Sequence, residues 1–340
     1  MLASQDPTYP LFPIFAFLGF ILSLIPLPWH IQAWNSGTCV FMIWTAVSCL
    51  IGFINSIVWR GNLNDPAPVW CDITSKVMIG ITVAFPAATL CISRRLYYIT
   101  SGNQASFTMD DKRRMVIIDL CISIGIPFVV MALHYIVQGH RYNILEDIGC
   151  FPVVYNILPA YFLVFMWPII LGLISFVYSA LTLRSFWIRR LQFAQLLSSN
   201  PSMSVSRYLR LVMLALIDMM CTVPIEILCI YLGNKGVRLA PWISWEDTHF
   251  NFSHVIFVPT LVWRSDPSFR TSVELTRWLP VLCAFVFFGL FGFASEARRF
   301  YGIAFSKLSK LANLHETSTS KDCKMKGLAC VHKLYISNFA

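Results

Sequence analysis

Residues 157–183 read ILPAYFLVFMWPIILGLISFVYSALTL, a stretch that contains no Asp, Glu, Lys or Arg. A helix needs about 20 consecutive apolar residues to cross the roughly 30 Å of hydrocarbon in a bilayer. Arg184 follows the stretch directly and marks its end. The stretch therefore predicts a helix that crosses a membrane.

Six further apolar runs of similar length lie on either side of this one. Each is interpreted as a helix, because lipid offers no hydrogen-bond partners to open backbone groups. The seven predicted spans are 9–29, 38–59, 73–93, 115–137, 157–183, 211–232 and 278–295. The sequence thus predicts an all-α membrane protein, a seven-transmembrane helix bundle at 9–295 that follows an N-terminal segment, 1–8, and precedes a tail, 296–340.

The composition agrees with a chain that lies mostly in lipid. Hydrophobic residues make up 57% of the 340 residues and charged residues only 13%, whereas soluble domains carry about 25% charged residues. The formal net charge of +9 does not indicate a nucleic-acid partner, because the Lys and Arg residues flank the apolar runs. Membrane lipid is the partner that the composition predicts.

The distribution of Lys and Arg predicts the orientation of the bundle. With the N-terminus outside, 18 of the 26 Lys and Arg residues fall in cytoplasmic loops and the tail. Short cytoplasmic loops carry such an excess of basic residues. We therefore expect residues 1–8 to be extracellular and residues 296–340 to be cytoplasmic.

An eight-span arrangement is the main topological alternative, with residues 249–263 as an additional span. The apolar core of that stretch, 255–263, contains Pro259 and has about half the length that a span needs. An eighth span would also place the basic tail outside, against the charge bias. We expect this stretch to be an interfacial or lid-like element of an outer loop.

Two of the 11 cysteines, Cys71 and Cys150, fall on the predicted outer side. Extracellular compartments are oxidising, so this pair is predicted to form a disulfide bond that pins the second outer loop over the bundle. The sequon Asn251-Phe252-Ser253 falls on the same side, which makes Asn251 a candidate for glycosylation.

Several acids lie inside the predicted spans. Each costs about 2.5–3.5 kcal/mol at mid-membrane, so Asp119, Asp218 and Glu226 should face the interior of the bundle. Pro224 lies between the last two, and a proline inside a helix removes a backbone hydrogen bond and permits a kink. Asp218, Pro224 and Glu226 are therefore candidates for a conformational switch, and a static contact between helices is the alternative.

The sequence does not indicate an enzyme. The motifs HExxH, GxSxG, GxxxxGK[ST] and CxxC are absent from the chain. We expect no catalytic residues, no cofactor and no metal site. A transporter of small or lipid-like solutes stays open as an alternative, because of the acids inside the spans.

Basic residues cluster on the predicted cytoplasmic face. Arg94 and Arg95 end the third span, and Arg189 and Arg190 lie in the third inner loop. They form either an interfacial anchor or a docking patch for a partner. Residues 295–312 place their apolar residues on one helical side and their basic residues largely elsewhere, which predicts an interfacial amphipathic helix.

Several stretches together resemble a known family. They are LPWH at 27–30, NSIVW at 55–59, PAPVWCDI at 66–73, EDIGC at 146–150 and RWLPVLCAF at 277–285. Over residues 9–305 the chain resembles the fungal mating pheromone receptors of the lipopeptide (a-factor) class, a branch of the G-protein-coupled receptors. The resemblance implies a multi-pass receptor of the plasma membrane, a farnesylated peptide pheromone as ligand and a heterotrimeric G protein as partner.

The resemblance also gives the two faces of the bundle expected roles. By position on the outer side, four residues are candidates for contact with the ligand peptide: Trp70, Asp72, Glu146 and Asp147. By position on the inner side, four arginines are candidates for contact with the G protein: Arg94, Arg95, Arg189 and Arg190.

Overall fold

The computed structural model describes residues 6–101, 108–198, 210, 212–213, 224–225 and 227–293. Helices dominate this part of the chain. They are α1 (Leu11–Leu24), α2 (Leu27–Gln32), α3 (Ser36–Val58), α4 (Pro68–Thr100), α5 (Met109–Leu120), α6 (Ile126–His134), α7 (Leu158–Ala160), α8 (Met166–Ser198), α9 (Trp245–Thr248), α10 (Thr260–Trp263) and α11 (Pro267–Phe291). Short π-helical turns, Cys121–Gly125 and Tyr161–Phe165, join α5 to α6 and α7 to α8.

Six helical segments among the described residues are long and apolar enough to cross a bilayer. They are Leu11–Gln32, Ser36–Val58, Pro68–Thr100, Met109–Val137, Leu158–Ser185 and Pro267–Phe291. Each overlaps one predicted span, so these six apolar helices are confirmed. Large apolar side chains stay exposed on them, as Phe128 (56%) and Leu173 (56%) do, which suits surfaces that face lipid. The remaining prediction, 211–232, falls largely outside the described residues, but residues 227–232 are helical.

Two helices are longer than the apolar runs that predicted them. Helix α4 begins at Pro68 and ends at Thr100, whereas the predicted span was 73–93. Helix α11 begins at Pro267, well before residue 278, and Asp266 caps it by accepting a hydrogen bond from Ser268 N at 2.8 Å. Hydropathy locates only the part of a helix that lies in lipid, so polar terminal turns escape it.

A small sheet corrects the expectation of an all-α protein. Its strands are β1 (Tyr142–Leu145), β2 (Gly149–Phe151) and β3 (Val255–Val258), in the order β2-β1-β3. Strand β1 pairs antiparallel with β2 and parallel with β3. The stretch 249–263 thus contains a β-strand and the short helix α10 and forms no spanning helix. Its β-branched residues favour a strand, a signal that a search for long apolar runs ignores.

Helix α4 forms the centre of the bundle. It packs against α3, α6 and α8, while α1 and α11 pack against each other and against α3. Gly37 allows α3 to approach α4 closely, because a Cβ atom there would lie 2.8 Å from Cys91 Cβ. We call the end of the bundle that carries the sheet the sheet end, and the opposite end, where Arg94 and Arg95 lie on α4, the arginine end.

Candidate ligand-binding and coupling sites

A disulfide bond attaches the sheet to the bundle. It joins Cys150 on β2 to Cys71 in the first turn of α4, and both residues are fully buried. Trp59 packs in the same cluster and donates from Nε1 to Asn64 O at 2.8 Å. The segment between α6 and α7 is thereby held over the sheet end, in the arrangement that the sequence predicted for this cysteine pair.

Gly149 brings the sheet close to the C-terminal end of α3. Its φ is +90°, and a Cβ atom there would lie 2.9 Å from both Asn55 Cβ and Trp59 Cε3. Gly61 also has a positive φ, +60°, but no atom of the described residues lies within 4 Å of a Cβ atom there. The two glycines therefore differ in packing and share a backbone conformation that disfavours a side chain.

We expect Gly149→Ala to lower the midpoint of thermal unfolding more than Gly61→Ala does. Both variants carry the cost of a positive φ, about 1–2 kcal/mol. Only Gly149→Ala adds steric overlap, for which roughly 1–3 kcal/mol more is typical. The measurement is thermal unfolding of the purified receptor in nanodiscs. Equal losses in the two variants would contradict the close packing of the sheet against α3.

Glu146 and Asp147 form the turn between β1 and β2, and they hold loops together. Asp147 is 3% exposed. Its carboxylate accepts hydrogen bonds from Gly61 N at 2.8 Å and from Thr260 Oγ1 at 2.9 Å. Glu146 Oε2 accepts from Thr260 N at 2.8 Å. These bonds engage Asp147 inside the protein, which favours a bracing role over the predicted contact with a ligand.

Trp70 and Asp72 lie in the first turns of α4, near the disulfide. Trp70 Nε1 donates to Asn55 Oδ1 at 2.8 Å, which joins α4 to α3. Asp72 accepts hydrogen bonds from Arg141 Nε at 2.8 Å and from Arg141 Nη2 at 2.5 Å. Hydrogen bonding to Asp72 raises the pKa of the Arg141 guanidinium above its ordinary value. The Asp72 side chain is 41% exposed, so Asp72 is accessible to a ligand, whereas Asp147 is not.

Two cavities lie beneath the sheet. The outer cavity, of about 510 Å³, is lined by residues of α1, α3, α4 and α11 together with Ile148, Cys150 and Phe151. The deep cavity, of about 560 Å³, lies between α3, α4, α11 and the helical residues Ile225 and Cys229. Both volumes include space that is open to solvent.

An ion-pair cluster borders the outer cavity. Asp6, from the segment before α1, accepts hydrogen bonds from Arg264 Nη2 and Arg277 Nη2, each at 2.9 Å. Glu274 lies 3.3 Å from Arg264 and 3.7 Å from Arg277. Burial alone would raise the pKa of the Asp6 carboxyl, but Arg277 and the hydrogen bonds from Thr8 outweigh burial and hold that pKa below its ordinary value. Asp6 is therefore ionised and fixes the N-terminal segment at the sheet end.

The arginine end contains a buried ion pair. Arg94 Nη2 donates to Asp119 Oδ1 at 2.6 Å, and the two side chains are 13% and 3% exposed. Ser36 Oγ donates to Asp119 Oδ2, so α3, α4 and α5 meet at this carboxylate. Arg95 donates to the backbone oxygens of Ala33 and Trp34. Arg94 and Arg95, two of the four arginines predicted to contact a partner, thus bind groups of their own chain.

The other predicted residues lie apart from these clusters or outside the described part. Arg189 and Arg190 belong to α8, but their side chains fall outside the description. Asp218 and Glu226 are outside the described residues as well, whereas Pro224 is helical and exposed. Asn251 is exposed in a turn, at a φ of +53°.

Several residues that build the sheet end were not singled out by the sequence. Four of them hold the loops through bonds to acids that are distant in sequence: Arg141, Thr260, Arg264 and Arg277. Asp6 and Arg264, for example, are separated by 258 positions. Ion pairs between such distant residues leave no local pattern. Asp6, an outer acid with no Lys or Arg near it in the sequence, was the signal that a distant partner existed.

The comparisons with known proteins agree with one another. The chain matches the family described as Pheromone A receptor over residues 11–310. It is 50% identical to the Pheromone B alpha 3 receptor of Schizophyllum commune over 95% of this chain and 52% of that relative. It is 36% identical to Pheromone receptor 1 of Mycosarcoma maydis over 87% of this chain and 83% of that relative.

The similarity extends to ascomycete yeast. The chain is 24% identical to the Pheromone a factor receptor of Saccharomyces cerevisiae over 84% of this chain and 59% of that relative. It spans about half the length of the Schizophyllum commune receptors that it matches.

Proposed function

The chain belongs to the pheromone A receptor family, and from that premise we propose that it binds an extracellular farnesylated peptide pheromone and activates a heterotrimeric G protein. This family is one of receptors and not a class of enzymes. The observation that carries the proposal is the pair of cavities beneath a disulfide-linked sheet, with a buried ion pair at the opposite end of the same helix. Helix α4 connects the two ends.

We propose that seven helices cross the plasma membrane, with the sheet end outside and the arginine end in the cytoplasm. The excess of Lys and Arg in the segments at the arginine end supports this orientation. The disulfide at the sheet end supports it too, because disulfides persist in oxidising compartments. A protease site inserted after Lys310 should resist protease added to intact cells; cleavage there would contradict the orientation.

We propose that the pheromone binds at the sheet end, where the cavities lie beneath the sheet. Trp70 and Asp72 lie near the disulfide at this end, and Asp72 is accessible to a peptide. Glu146 and Asp147 support the site by fixing the β1–β2 turn to α10. Asn251 is exposed on the same side and is a candidate for glycosylation.

We propose that the G protein binds at the arginine end after the helices there have moved. Arg94 is 13% exposed and paired with Asp119, so the resting arrangement withholds its charge from a partner. Arg95, Arg189 and Arg190 complete the proposed basic surface. Asp218, Pro224 and Glu226 remain candidates for the switch that links ligand binding to this movement.

The transporter alternative rests on acids inside the spans. Of these, Asp119 lies at the arginine end and is satisfied by Arg94 and Ser36. An ionisable group that binds a transported solute usually lies near the bilayer midplane, at the interface between repeats. The position and the partners of Asp119 therefore favour a receptor.

Reporter cells that carry a matching G protein test the proposal. We expect the wild-type chain to respond to a farnesylated peptide drawn from a panel of candidate pheromones, and to ignore the same peptide without its lipid. The response should disappear when the G protein is deleted. Equal responses to the two peptides would overturn the ligand class, and a response that survives the deletion would overturn the coupling.

A further inference from the structure

The two cavities adjoin each other inside the bundle. Ser48, Met78 and Thr276 line both of them, so the two volumes meet at these three side chains. The deep cavity extends along α4 from Met78 to Phe85, which at the helical rise is about 10 Å farther from the sheet end. On α11 it extends from Thr276 to Pro280 in the same direction. The joined site is therefore elongated and runs into the bundle.

The deep cavity has little to offer a polar group. Its two threonines donate their hydroxyl hydrogens to carbonyls of their own helices, Thr82 to Ile79 O and Thr276 to Ser272 O, each at 2.8 Å. The other walls include Phe85, Leu279 and Pro280. Ser48 adds a further hydroxyl to this lining, but a polar ligand group elsewhere in the cavity would lose its water without gaining a partner, which is unfavourable. An apolar chain gains affinity instead, roughly fourfold for each buried methylene.

The outer cavity, in contrast, contains a buried donor without an acceptor. The Arg277 side chain is 7% exposed, and its Nη1 has no hydrogen-bond partner among the described residues. The closest acidic oxygen, Glu274 Oε2, lies 3.7 Å away, which is beyond hydrogen-bond length. Arg277 lines the cavity, although Nη1 itself has almost no accessible surface, so the guanidinium has to turn toward the cavity for a ligand oxygen to satisfy this donor.

The charges around Arg277 indicate what kind of oxygen fits. Arg264 and Arg277 supply two positive charges, and Asp6 and Glu274 supply two negative ones, all within one cluster. An additional carboxylate would leave an uncompensated buried charge, which is costly. A neutral carbonyl oxygen, such as that of an amide or an ester, accepts the hydrogen bond without disturbing the balance.

We propose that the joined cavities bind one amphipathic ligand in a fixed orientation, with its apolar chain in the deep cavity and a neutral carbonyl oxygen at Arg277. The deep cavity, whose far end is formed by Phe85, thereby selects the length of the ligand's lipid chain. This assignment rests on the proposed function, because a lipid-modified peptide is the ligand that carries both groups.

The test varies both the size of the deep cavity and the length of the ligand's lipid chain. One peptide that activates the wild-type receptor is prepared with a geranyl, a farnesyl or a geranylgeranyl thioether. Four variants are compared with the wild type in reporter cells at matched surface expression, and the fourth is Arg277→Gln. Phe85→Leu enlarges the far end and Thr82→Phe fills the middle. Phe41→Leu is the control, because Phe41 packs against Phe85 at a ring distance of 5.4 Å but lines neither cavity.

We expect the chain-length preference to follow the cavity. Thr82→Phe should raise the EC50 of the farnesyl and geranylgeranyl peptides at least tenfold relative to the geranyl peptide. Phe85→Leu should improve the geranylgeranyl peptide relative to the farnesyl peptide, and Phe41→Leu should leave the order unchanged. Arg277→Gln should raise the EC50 of all three peptides by the same factor, because it removes the contact with the carbonyl and not with the chain.

Unchanged chain-length order in both Thr82→Phe and Phe85→Leu would overturn the assignment while leaving the receptor function intact. The same result follows if Phe41→Leu shifts the order as much as Phe85→Leu does. A wild-type chain that answers none of the three lipidated peptides would contradict the proposed function itself. If Phe85→Leu fails to reach the surface, Thr82→Phe decides the matter, since it removes no core side chain.

Discussion

Asp119→Asn is expected to raise ligand-independent signalling by roughly 5–150-fold, the range that a coupling free energy of about 1–3 kcal/mol produces. The substitution keeps the shape of the side chain and removes its charge. Arg94 then loses the carboxylate that holds it at 2.6 Å. A buried guanidinium without a counter-ion is unstable, so the arrangement in which Arg94 reaches the surface of the arginine end becomes relatively more favourable. Reporter output without pheromone, normalised to surface expression, measures the effect.

Arg94→Gln separates this explanation from general damage. It removes the proposed G-protein contact, so it should abolish signalling, and the double variant Arg94→Gln with Asp119→Asn should be equally silent. If the ion pair served stability alone, both single variants would lower receptor abundance and the double variant would restore it. That pattern, with no rise in basal output for Asp119→Asn, would contradict the role assigned to the pair.

Replacing both Cys71 and Cys150 with Ser is expected to raise the EC50 for the pheromone by about 30-fold or more. The bond closes a segment with a sequence separation of 79, and a disulfide typically stabilises its fold by roughly 2–4 kcal/mol. Without the disulfide, the sheet is attached mainly through the hydrogen bonds of Glu146 and Asp147. The sheet then separates more often from the helices that line the cavities. The helices should persist, because their packing does not pass through the bond.

Cys121→Ser is the matched control, since Cys121 is an exposed free cysteine and its loss should leave the EC50 within about twofold. Alkylation provides the chemical check. In unreduced intact cells, neither Cys71 nor Cys150 should react with a membrane-impermeant thiol reagent. Reaction of both cysteines would show that the bond is absent and would remove the basis of this prediction.

The apolar helices could be predicted from the sequence because the requirement for length and hydropathy is local. Residues 157–183 decide their own conformation, since no other structure satisfies the backbone in lipid. The sheet could not be predicted in the same way. Strand β3 pairs with β1 across more than one hundred positions, and its four residues have no signal of their own beyond a preference for extended structure.

The candidate site, too, could be predicted only in part from the sequence. The disulfide between Cys71 and Cys150 was predictable, because few cysteines faced the oxidising side. The partners of Asp72 and Asp147 were not, and these two residues, predicted alike as ligand contacts, have different surroundings. Asp72 is accessible beside Arg141, whereas Asp147 is buried between Gly61 and Thr260. Position along the chain assigned both to the outer face but could not give their burial.

We propose that binding of the pheromone at the sheet end releases Arg94 at the arginine end to act on a G protein. The most direct test is nucleotide exchange on a purified heterotrimeric G protein, with the receptor in nanodiscs. The farnesylated peptide should accelerate exchange for the wild-type receptor, and Asp119→Asn should accelerate it without the peptide. No acceleration in either case, with peptide binding intact, would contradict the claim.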